Sequence, residues 1–402
     1  MRQPCLLATV GGVRITDADR RARLAGRHLL APAARAATPE QVADALVALH
    51  ATDPATVFLA VAARMADAAP AALEDALYQR ESLVRMLAMR RTMFVVGREL
   101  GPVVDSSSAR AVAAREHKNL LGYLADGGGW DAAWLAAAQA EVLAVLAERG
   151  PLTGAELGAA VPALQERVVA GAGKSYERTQ TVASRVLRGL AMEHRIRRDR
   201  PRGGWTSSQF RWAPGEPFPE LPAAEARAEL VRRWLAGYGP GTEADLVWWT
   251  GWNRRDVRAA LAAVSAEQVE LDGGATGHVL PGDGDPGSAA PGTAPYAALL
   301  PALDPTGMGW RERDWYLPPE HAAGLFDRTG NLGATVWWDG RVVGGWAQRP
   351  DGELVWRLLE DVGAEAETAI GVEAERLAAF IGGVRITPRF SAPLDRELSG
   401  GG

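Results

Sequence analysis

The sequence predicts an α+β protein in which three tandem winged helix-turn-helix modules precede a small β-barrel-like domain. Three observations support this fold class. A helix–helix–hairpin order occurs three times, two of these units share an eight-residue pattern, and the chain becomes strand-rich after a Gly- and Pro-rich segment. We place the three modules and the C-terminal domain at residues 1–125 (with an N-terminal arm), 126–218, 219–285 and 286–402.

The first module is predicted from residues 38–96. The tetrapeptide TPEQ at residues 38–41 supplies an N-cap, a proline in the first turn and an acceptor at the third position, so a helix begins there. Apolar residues at helical spacing continue that helix to about residue 63. A second helix is expected over residues 71–80, and β-branched and aromatic residues within 83–96 predict a strand pair.

The second and third modules share a sequence pattern. Residues 150–157 (GPLTGAEL) and 239–246 (GPGTEADL) align without a gap as G-P-x-T-x-A-[ED]-L. In this pattern Gly-Pro ends one helix, Thr caps the next, and Ala and Leu pack against a neighbouring helix. Around it we expect helices at residues 131–149, 177–193, 225–238 and 254–264, and strands within 195–212 (joined at Gly203-Gly204), 269–271 and 277–280.

The C-terminal domain differs in character from the modules. Residues 281–295 are rich in Gly, Pro and Ala without periodicity, which is typical of a linker. Beyond them a helix is expected over residues 365–381, and strands are expected at 296–303, 334–339, 341–348, 353–359 and 383–388. Consecutive hairpins of this kind indicate a small barrel-like sheet.

Composition and motifs exclude several classes of protein. The formal net charge of −5 argues against a protein that coats nucleic acid by its overall charge, so any contact with DNA must be local. The single cysteine, Cys5, excludes a disulfide framework and a thiolate metal cage, and the six histidines show no metal-ligand spacing. Because no P-loop, dinucleotide-binding, H-E-x-x-H or nucleophile-elbow motif occurs, no cofactor is expected.

The sequence also indicates where the protein works. No apolar run is long enough to span a bilayer, and the N-terminus is too short and too weakly basic for a signal peptide. We therefore expect a cytoplasmic protein without a membrane partner.

The strongest charge signal lies in the second module. Seven arginines stand against two acids between residues 185 and 202, namely Arg185, Arg188, Arg195, Arg197, Arg198, Arg200 and Arg202. They fall on the predicted recognition helix and its wing, so we predict that they bind DNA, with a solvated charged face as the alternative. Further DNA contacts are predicted for Arg85, Arg90 and Arg91 on the first wing. They are also predicted for Lys174, Tyr176 and Arg178 before the recognition helix, although these three taken alone are typical of surface residues.

One polar segment interrupts an otherwise apolar part of the first module. Residues 49–54 (LHATDP) contain His50, Thr52 and Asp53. Taken alone, these residues indicate a helix end followed by a turn, with His50 as a buried histidine whose ring nitrogens are hydrogen-bonded. Elsewhere in the chain, Asp304, Arg311 and Arg313 are expected to form ion pairs at the surface. Most of the tryptophans are expected to lie in the hydrophobic core.

These features together resemble one protein family. The tandem modules, LHATDP at residues 49–54, MRRTMFVV at 89–96 and LLPALDP at 299–305 are similar to the bacterial winged-helix DNA glycosylases of the AlkZ/YcaQ type, over essentially the whole chain. The resemblance implies a C-shaped scaffold whose channel takes duplex DNA. It also implies excision of bulky alkylpurines or unhooking of interstrand crosslinks.

The family's catalytic motif differs in this chain. Gln-Φ-Gln or Gln-Φ-Asp maps onto His50-Ala51-Thr52, and Arg-Gly-Thr-x-His maps onto residues 90–94 (RRTMF). A glycosylase needs a positioned water and a base to accept its proton. The resemblance therefore assigns the base to His50 or Asp53 and the water contact to Thr52.

Three functions are compatible with the sequence. The first is a monofunctional DNA glycosylase acting as a monomer on damaged double-stranded DNA. The second is a non-catalytic DNA-binding protein, either a damage sensor or a transcriptional regulator. The third is a protein that sequesters a small molecule or binds a partner through a concave, Trp-rich surface.

Overall fold

The architecture is mixed α+β, with small and mostly antiparallel sheets between the helices. The structure is a computed structural model that describes residues 13–170, 178–285 and 294–400. Part of the predicted linker (286–293) lies outside these residues. Short 3-10 turns and one π-helical turn connect the main elements at Pro32–Ala34, Met89–Arg91, Arg98–Leu100, Asp105–Ala109, Pro162–Gln165, Asp272–Gly274 and Pro319–His321.

The first unit combines four helices with a three-stranded sheet. Its elements are β1 (Arg14–Ile15), α1 (Asp17–Arg27), α2 (Pro39–Ala45), β2 (Leu49–His50), α3 (Pro54–Ala62), α4 (Pro70–Tyr78), β3 (Leu83–Leu87) and β4 (Met93–Gly97). The sheet has the antiparallel order β2-β4-β3. The predicted start of α2 is confirmed, because the Gln41 N–H donates to the Thr38 hydroxyl and the Thr38 N–H donates to the Gln41 side chain.

The single helix predicted from residue 38 to about residue 63 is wrong. α2 ends at Ala45, β2 pairs with β4, and α3 begins only at Pro54. Val47 has a left-handed φ of 63°, and Asp53 before the proline is extended, so the backbone leaves the helix in between. Leu46 and Leu49 are buried in this broken arrangement as they would be in a helix. Helical spacing therefore did not reveal the strand.

The second unit contains two small hairpins. Its elements are α5 (Gly101–Val104), α6 (Arg110–Gly128), α7 (Ala132–Arg149), α8 (Gly154–Ala160), β5 (Arg167–Ala170), β6 (Arg178–Thr181), α9 (Ala183–Met192), β7 (Ile196–Arg198) and β8 (Trp212–Pro214). β8 pairs with β7, and it also forms a bridge between Trp212 and Leu152. β5 pairs separately with β6.

The helix predicted for residues 177–193 is shorter than expected. Residues 178–181 form β6, and α9 begins at Ala183. The β-branched Thr179 and Thr181 favour an extended backbone, which explains the difference. Among the described residues no single helix is long and apolar enough to cross a membrane; Arg98–Gly128 and Ala132–Arg149 reach that length only as a pair bent by 106°.

The third unit repeats the order of the first two. It consists of α10 (Ala223–Tyr238), α11 (Glu243–Thr250), α12 (Arg254–Ala263), β9 (Glu267–Leu271) and β10 (Thr276–Val279). β9 lies between β10 and β1, and Gly241 forms a bridge to His278 of β10. The predicted caps are confirmed, since Thr153 with Glu156 and Thr242 with Asp245 form the same reciprocal pair of hydrogen bonds.

The C-terminal part contains an open sheet rather than a closed one. Its elements are β11 (Ala297–Leu300), α13 (Ala322–Leu325), β12 (Thr335–Trp338), β13 (Arg341–Gln348), β14 (Leu354–Leu358), α14 (Gly363–Ile381) and α15 (Pro393–Leu398). The four strands are antiparallel in chain order, with β11 and β14 at the edges, so the predicted barrel-like closure is wrong for the described residues. The strand predicted at 383–388 is also wrong, because the Gln348 side chain bonds the backbone of Val384 and Ile386 there.

Hydrophobic clusters join the units unevenly. One cluster runs from Leu24 through Trp234 to Leu394 and so joins the first unit, the third unit and the C-terminal part. A separate cluster, from Leu120 to Trp212, belongs to the second unit alone. Of the tryptophans in the third unit and in the first half of the C-terminal part that could line a channel (Trp248, Trp249, Trp252, Trp310, Trp315, Trp337 and Trp338), the expected burial is confirmed for Trp249, Trp310, Trp315 and Trp337.

Trp205 links the second unit to its neighbours. It lies in the loop between β7 and β8, is buried, stacks on Phe58 of α3 with ring centroids 5.1 Å apart, and contacts Phe380 of α14 at 5.8 Å. The loop that was predicted as a DNA-facing wing is therefore anchored in a hydrophobic cluster formed by the first unit and the C-terminal part.

A buried ion pair fixes the first unit to the C-terminal part. The Arg64 guanidinium donates to both Asp304 carboxylate oxygens at 2.9 and 2.6 Å, and Arg64 and Asp304 are 0% and 1% exposed. Its remaining N–H groups donate to the carbonyls of His28 and Ala60 and to the Thr306 hydroxyl. The expected surface role of Asp304 is therefore wrong. The pair is stable in the core because all five donors of the guanidinium are satisfied.

Candidate active site and nucleic-acid interface

His50, Thr52 and Asp53 lie at the junction of β2 and α3. His50 is opposite Phe94 in the sheet and meets its ring edge-to-face, with centroids 5.4 Å apart. The imidazole is only 8% exposed, and its Nδ1 atom is buried without a hydrogen-bond partner among the described residues. His50 is therefore not a buried histidine with both ring nitrogens hydrogen-bonded, because Nδ1 has no partner among the described residues.

The surroundings of His50 keep its imidazole neutral. Burial lowers the pKa of His50 to about 4, and the positive charge of Arg90 acts in the same direction. The ring therefore carries a lone pair on one nitrogen at neutral pH. A neutral imidazole with an unused buried nitrogen has the chemistry of a proton acceptor.

Both carboxylate oxygens of Asp53 accept hydrogen bonds from backbone N–H groups. Its Oδ1 accepts from the Ala55 N–H at 3.0 Å and so caps α3, while its Oδ2 accepts from the Arg389 N–H at 2.9 Å. Both oxygens therefore hold backbone groups. This geometry favours an anchoring role for Asp53 and leaves His50 as the candidate base.

Thr52 lies at the edge of a positively charged cavity of about 250 Å³ between the first and second units. Six arginines line this cavity, which we call the arginine pocket, and two of them, Arg91 and Arg197, pair with carboxylates. The other four come from β3, α9, β7 and the segment after α14, and are Arg85, Arg188, Arg198 and Arg389. None of the four forms an ion pair with a carboxylate among the described residues, and the Arg85 Nε atom is buried without a partner. The pocket is thus an uncompensated concentration of positive charge.

The arginines of the pocket act on one another. Burial, followed by the charges of the other three arginines, lowers the pKa of Arg198 to about 10. Its guanidinium lies 4.2 Å from the ring centroid of Phe210, which compensates part of the charge. Arginine remains protonated at neutral pH even so. The repulsion is relieved when an anion enters the pocket.

The other five arginines predicted between residues 185 and 202 have partners in the protein. Arg195 pairs with Glu193, Arg197 with Glu81 and Asp199, Arg200 with Glu74, and Arg202 with Glu156. Arg185 lies over the Tyr123 ring, 3.9 Å from its centroid. Arg91 also lines the cavity but pairs with Glu116. The DNA-binding roles of these residues stay predictions.

The other predicted contacts precede α9. Lys174 and Tyr176 lie outside the described residues, and Arg178 is described only as the first residue of β6.

Arg90 lies at the tip of the β3–β4 hairpin with a left-handed φ of 52°. Its guanidinium is 4.2 Å from the ring centroid of Trp248 in α11, and Arg313 approaches the same ring at 4.9 Å. Burial and the charge of Arg313 lower the pKa of Arg90. The first hairpin thus meets the third unit beside His50. No sequence pattern indicates this contact, because its members are far apart in the chain.

Arg389 is the principal member of the arginine pocket that sequence reasoning missed. It follows a segment predicted as a strand and has no periodic or motif signal of its own. Its place is set by the bond to Asp53, 336 positions away. Within the described part of the chain, no three histidine, cysteine or acidic side chains come together as metal ligands.

Comparison with known proteins assigns the class. A family model described as "DNA glycosylase AlkZ-like" matches residues 43–380. The chain therefore belongs to the AlkZ-like family of DNA glycosylases, which are hydrolases of DNA. No curated protein sequence matches the chain significantly.

A solved structure supports the fold. The structure of the Streptomyces sahachiroi DNA glycosylase AlkZ is similar with a TM-score of 0.69 and 19% sequence identity. The similarity covers 91% of this chain and 97% of that one. At 19% identity this similarity establishes the fold only, and that fold agrees with the one expected from the family resemblance.

Proposed function

We propose that this protein is a monofunctional glycosylase that hydrolyses the N-glycosidic bond of bulky alkylated or crosslinked purines in double-stranded DNA. Membership in the family gives the reaction class. The observation that carries the proposal is the neutral, buried His50 two residues before Thr52, which lines the arginine pocket. A proton acceptor beside a phosphate-binding wall is the arrangement that such a reaction requires.

The chemistry follows from this arrangement. The bond from C1′ of the sugar to the purine nitrogen breaks, and the electron pair leaves with the base. A water oxygen bonds to C1′, and the water proton passes to the unprotonated nitrogen of His50, with the Thr52 hydroxyl orienting the water. An N-alkylated purine is cationic and leaves as a neutral base. A modest proton acceptor therefore suffices, although histidine replaces the glutamine of the family motif.

The three repeated units provide the binding surface in this proposal. Their common order of helix, short extended segment, helix, helix and hairpin is that of a winged helix. We assign the modules to residues 1–125, 126–218 and 219–285, with the C-terminal domain at 286–402, so that α5 and nearly all of α6 lie in the first module and connect it to the second. We further propose that a monomer in the cytoplasm forms a C-shaped channel around duplex DNA.

Substitution of His50 tests the proposal. In His50→Ala the proton acceptor is absent, so we expect excision of N7-alkylated purines to fall by about 10²- to 10⁴-fold while duplex affinity is unchanged. In His50→Gln, which restores the residue of the family motif, we expect most of the activity to return. The measurement is single-turnover formation of abasic sites in alkylated and crosslinked duplexes.

A matched control accompanies this test. His117 is an exposed histidine 3.4 Å from Glu193, and His117→Ala should excise at the rate of the unsubstituted protein. Unchanged excision in His50→Ala would remove His50 from the mechanism.

A second candidate function is a non-catalytic DNA-binding protein, such as a damage sensor or transcriptional regulator. The observation that favours it is the loss of both glutamines at positions 50 and 52. In that case the unsubstituted protein binds duplex DNA but forms no abasic sites in any alkylated duplex. A regulator would also show a sequence preference that a glycosylase lacks.

A further inference from the structure

A C-terminal segment crosses from the open sheet to the first unit. We call residues 384–392 the C-terminal strap. The Gln348 side chain holds its beginning, because Nε2 donates to the Val384 carbonyl at 3.2 Å and Oε1 accepts from the Ile386 N–H at 2.8 Å. The Asp395 carboxylate accepts from the Ala392 N–H at 2.9 Å at its end. The strap is therefore fixed on both sides without belonging to a sheet.

Asp53 fastens the middle of the strap to the first unit. Its Oδ2 accepts from the backbone N–H of Arg389 at 2.9 Å, and Asp53 itself is 7% exposed. This bond places Arg389 where its side chain lines the arginine pocket with Arg85, Arg188 and Arg198. The same carboxylate begins α3 through the Ala55 N–H, directly after Thr52. One side chain thus connects the candidate active site to the strap.

The composition of the pocket indicates its ligand. The four guanidinium groups converge from separate parts of the chain, and among the described residues none has a carboxylate partner that neutralises it. Guanidinium groups match the geometry of phosphate oxygens with paired N–H donors, and unpaired clusters of them are stable when an anion neutralises them. Several neighbouring arginines of the second unit are paired with carboxylates, among them Arg195, Arg200 and Arg202, whereas the four of the pocket are not.

We infer that Arg389, held by Asp53, completes with Arg85, Arg188 and Arg198 a binding site for a backbone phosphate of the DNA strand that lies beside Thr52. This inference rests on the proposed function and names a contact of that same site. Asp53 is then a positioning residue that acts through Arg389. The strap lies beyond residue 380, where the match to the family model ends.

The salt dependence of DNA binding tests the inference. The unsubstituted protein, Arg389→Gln and the control Arg385→Gln are titrated with an undamaged duplex at several salt concentrations. Arg385 lies in the same strap, is exposed, and bonds the Arg349 carbonyl outside the arginine pocket. We expect Arg389→Gln to weaken binding about tenfold at low salt and to reduce the slope of log K against log salt by about 1. Arg385→Gln should change neither quantity appreciably.

Substitution of Asp53 tests the positioning role. Asparagine caps a helix as well as aspartate does, so Asp53→Asn retains the start of α3. It replaces the second acceptor by an NH₂ group, which cannot bond the Arg389 N–H. We expect Asp53→Asn to lower duplex affinity, and the double variant with Arg389→Gln to bind no more weakly than Arg389→Gln alone. Equal melting temperatures of Asp53→Asn and the unsubstituted protein would show that the loss does not come from unfolding.

The outcomes separate this inference from the proposed function. Equal salt slopes for Arg389→Gln and Arg385→Gln would overturn the inference even if the protein excises alkylpurines. A reduced salt slope and affinity in Arg389→Gln, with an unchanged slope and affinity in Arg385→Gln, support the inference even if no abasic sites form. Additive effects of the Asp53 and Arg389 substitutions would overturn the positioning role.

A free anion is the other source of the same chemistry. Inorganic phosphate is therefore added to the complex at constant ionic strength. We expect it to weaken duplex binding of the unsubstituted protein more than chloride does, and to weaken that of Arg389→Gln no more than chloride does. Binding of phosphate alone, without duplex binding, would overturn the inference and assign the pocket to a small anion.

Discussion

At the scale of the residue, His50 illustrates how burial selects a chemical state. The imidazole lies against Phe94 with almost no exposure, and Arg90 adds a positive charge nearby. Both effects disfavour the protonated ring, so its pKa falls to about 4. A side chain that would be half-charged near pH 6.5 in water is instead a neutral base throughout the physiological range.

The pH dependence of excision should report this state. Because the base we propose is the unprotonated ring of His50, we expect activity above its folded-state pKa and loss of activity as the pH falls through about 4. We expect single-turnover rates to stay level between pH 8 and about pH 5.5, with reactions lacking protein subtracted to remove acid depurination. His50→Gln should show no fall with that midpoint. A midpoint near 6.5 would contradict the burial argument.

At the scale of the element, capping residues were predicted more accurately than element lengths. Thr38, Thr153 and Thr242 each begin the helix that the sequence indicated, because a cap is a local hydrogen-bonding pattern within four residues. The helices at 38–63 and 177–193 were predicted too long. Their apolar spacing is the same whether residues bury in a helix or in a short strand, and the strands β2 and β6 need partners distant in the chain.

The repeated cap should contribute measurably to stability. Thr153→Ala removes the acceptor for the Glu156 N–H and the partner of its carboxylate, so we expect a loss of about 1 kcal/mol in the second unit. Thr153→Ser retains the hydroxyl and should lose only a few tenths. Urea denaturation followed by far-UV circular dichroism measures both. Equal midpoints for the two variants would show that the cap is not needed.

At the scale of the whole molecule, the sequence indicated the units but not how they meet. Three repeats and a distinct C-terminal part were evident from patterns within each segment. The arginine pocket, by contrast, joins residues 85, 188, 198 and 389, and no periodicity connects them. Three of these arginines were predicted to bind DNA from local charge and wing position. Arg389 depends on a bond to Asp53 that only the folded chain reveals.

The Arg64–Asp304 pair should control the attachment of the C-terminal part. Asp304→Asn leaves the Arg64 charge buried without a counter-ion, so we expect unfolding free energy to fall by about 3–5 kcal/mol. Glu353→Gln breaks the exposed pair with Arg349 and should change stability by less than about 1 kcal/mol. Thermal denaturation compares the two variants. Similar melting temperatures for both would show that the buried pair is not essential.

The anchoring of Trp205 has a consequence for recognition. Since the indole is packed between Phe58 and Phe380, the loop after β7 is ordered before any ligand arrives. Trp205 is therefore occupied within the protein and is not free to insert into a DNA groove, whereas Arg202, Gly203 and Gly204 before it are exposed. Preorganisation of this kind reduces the conformational entropy lost on association. In the complex we propose, the base of the hairpin, where Arg198 lies, contacts the DNA.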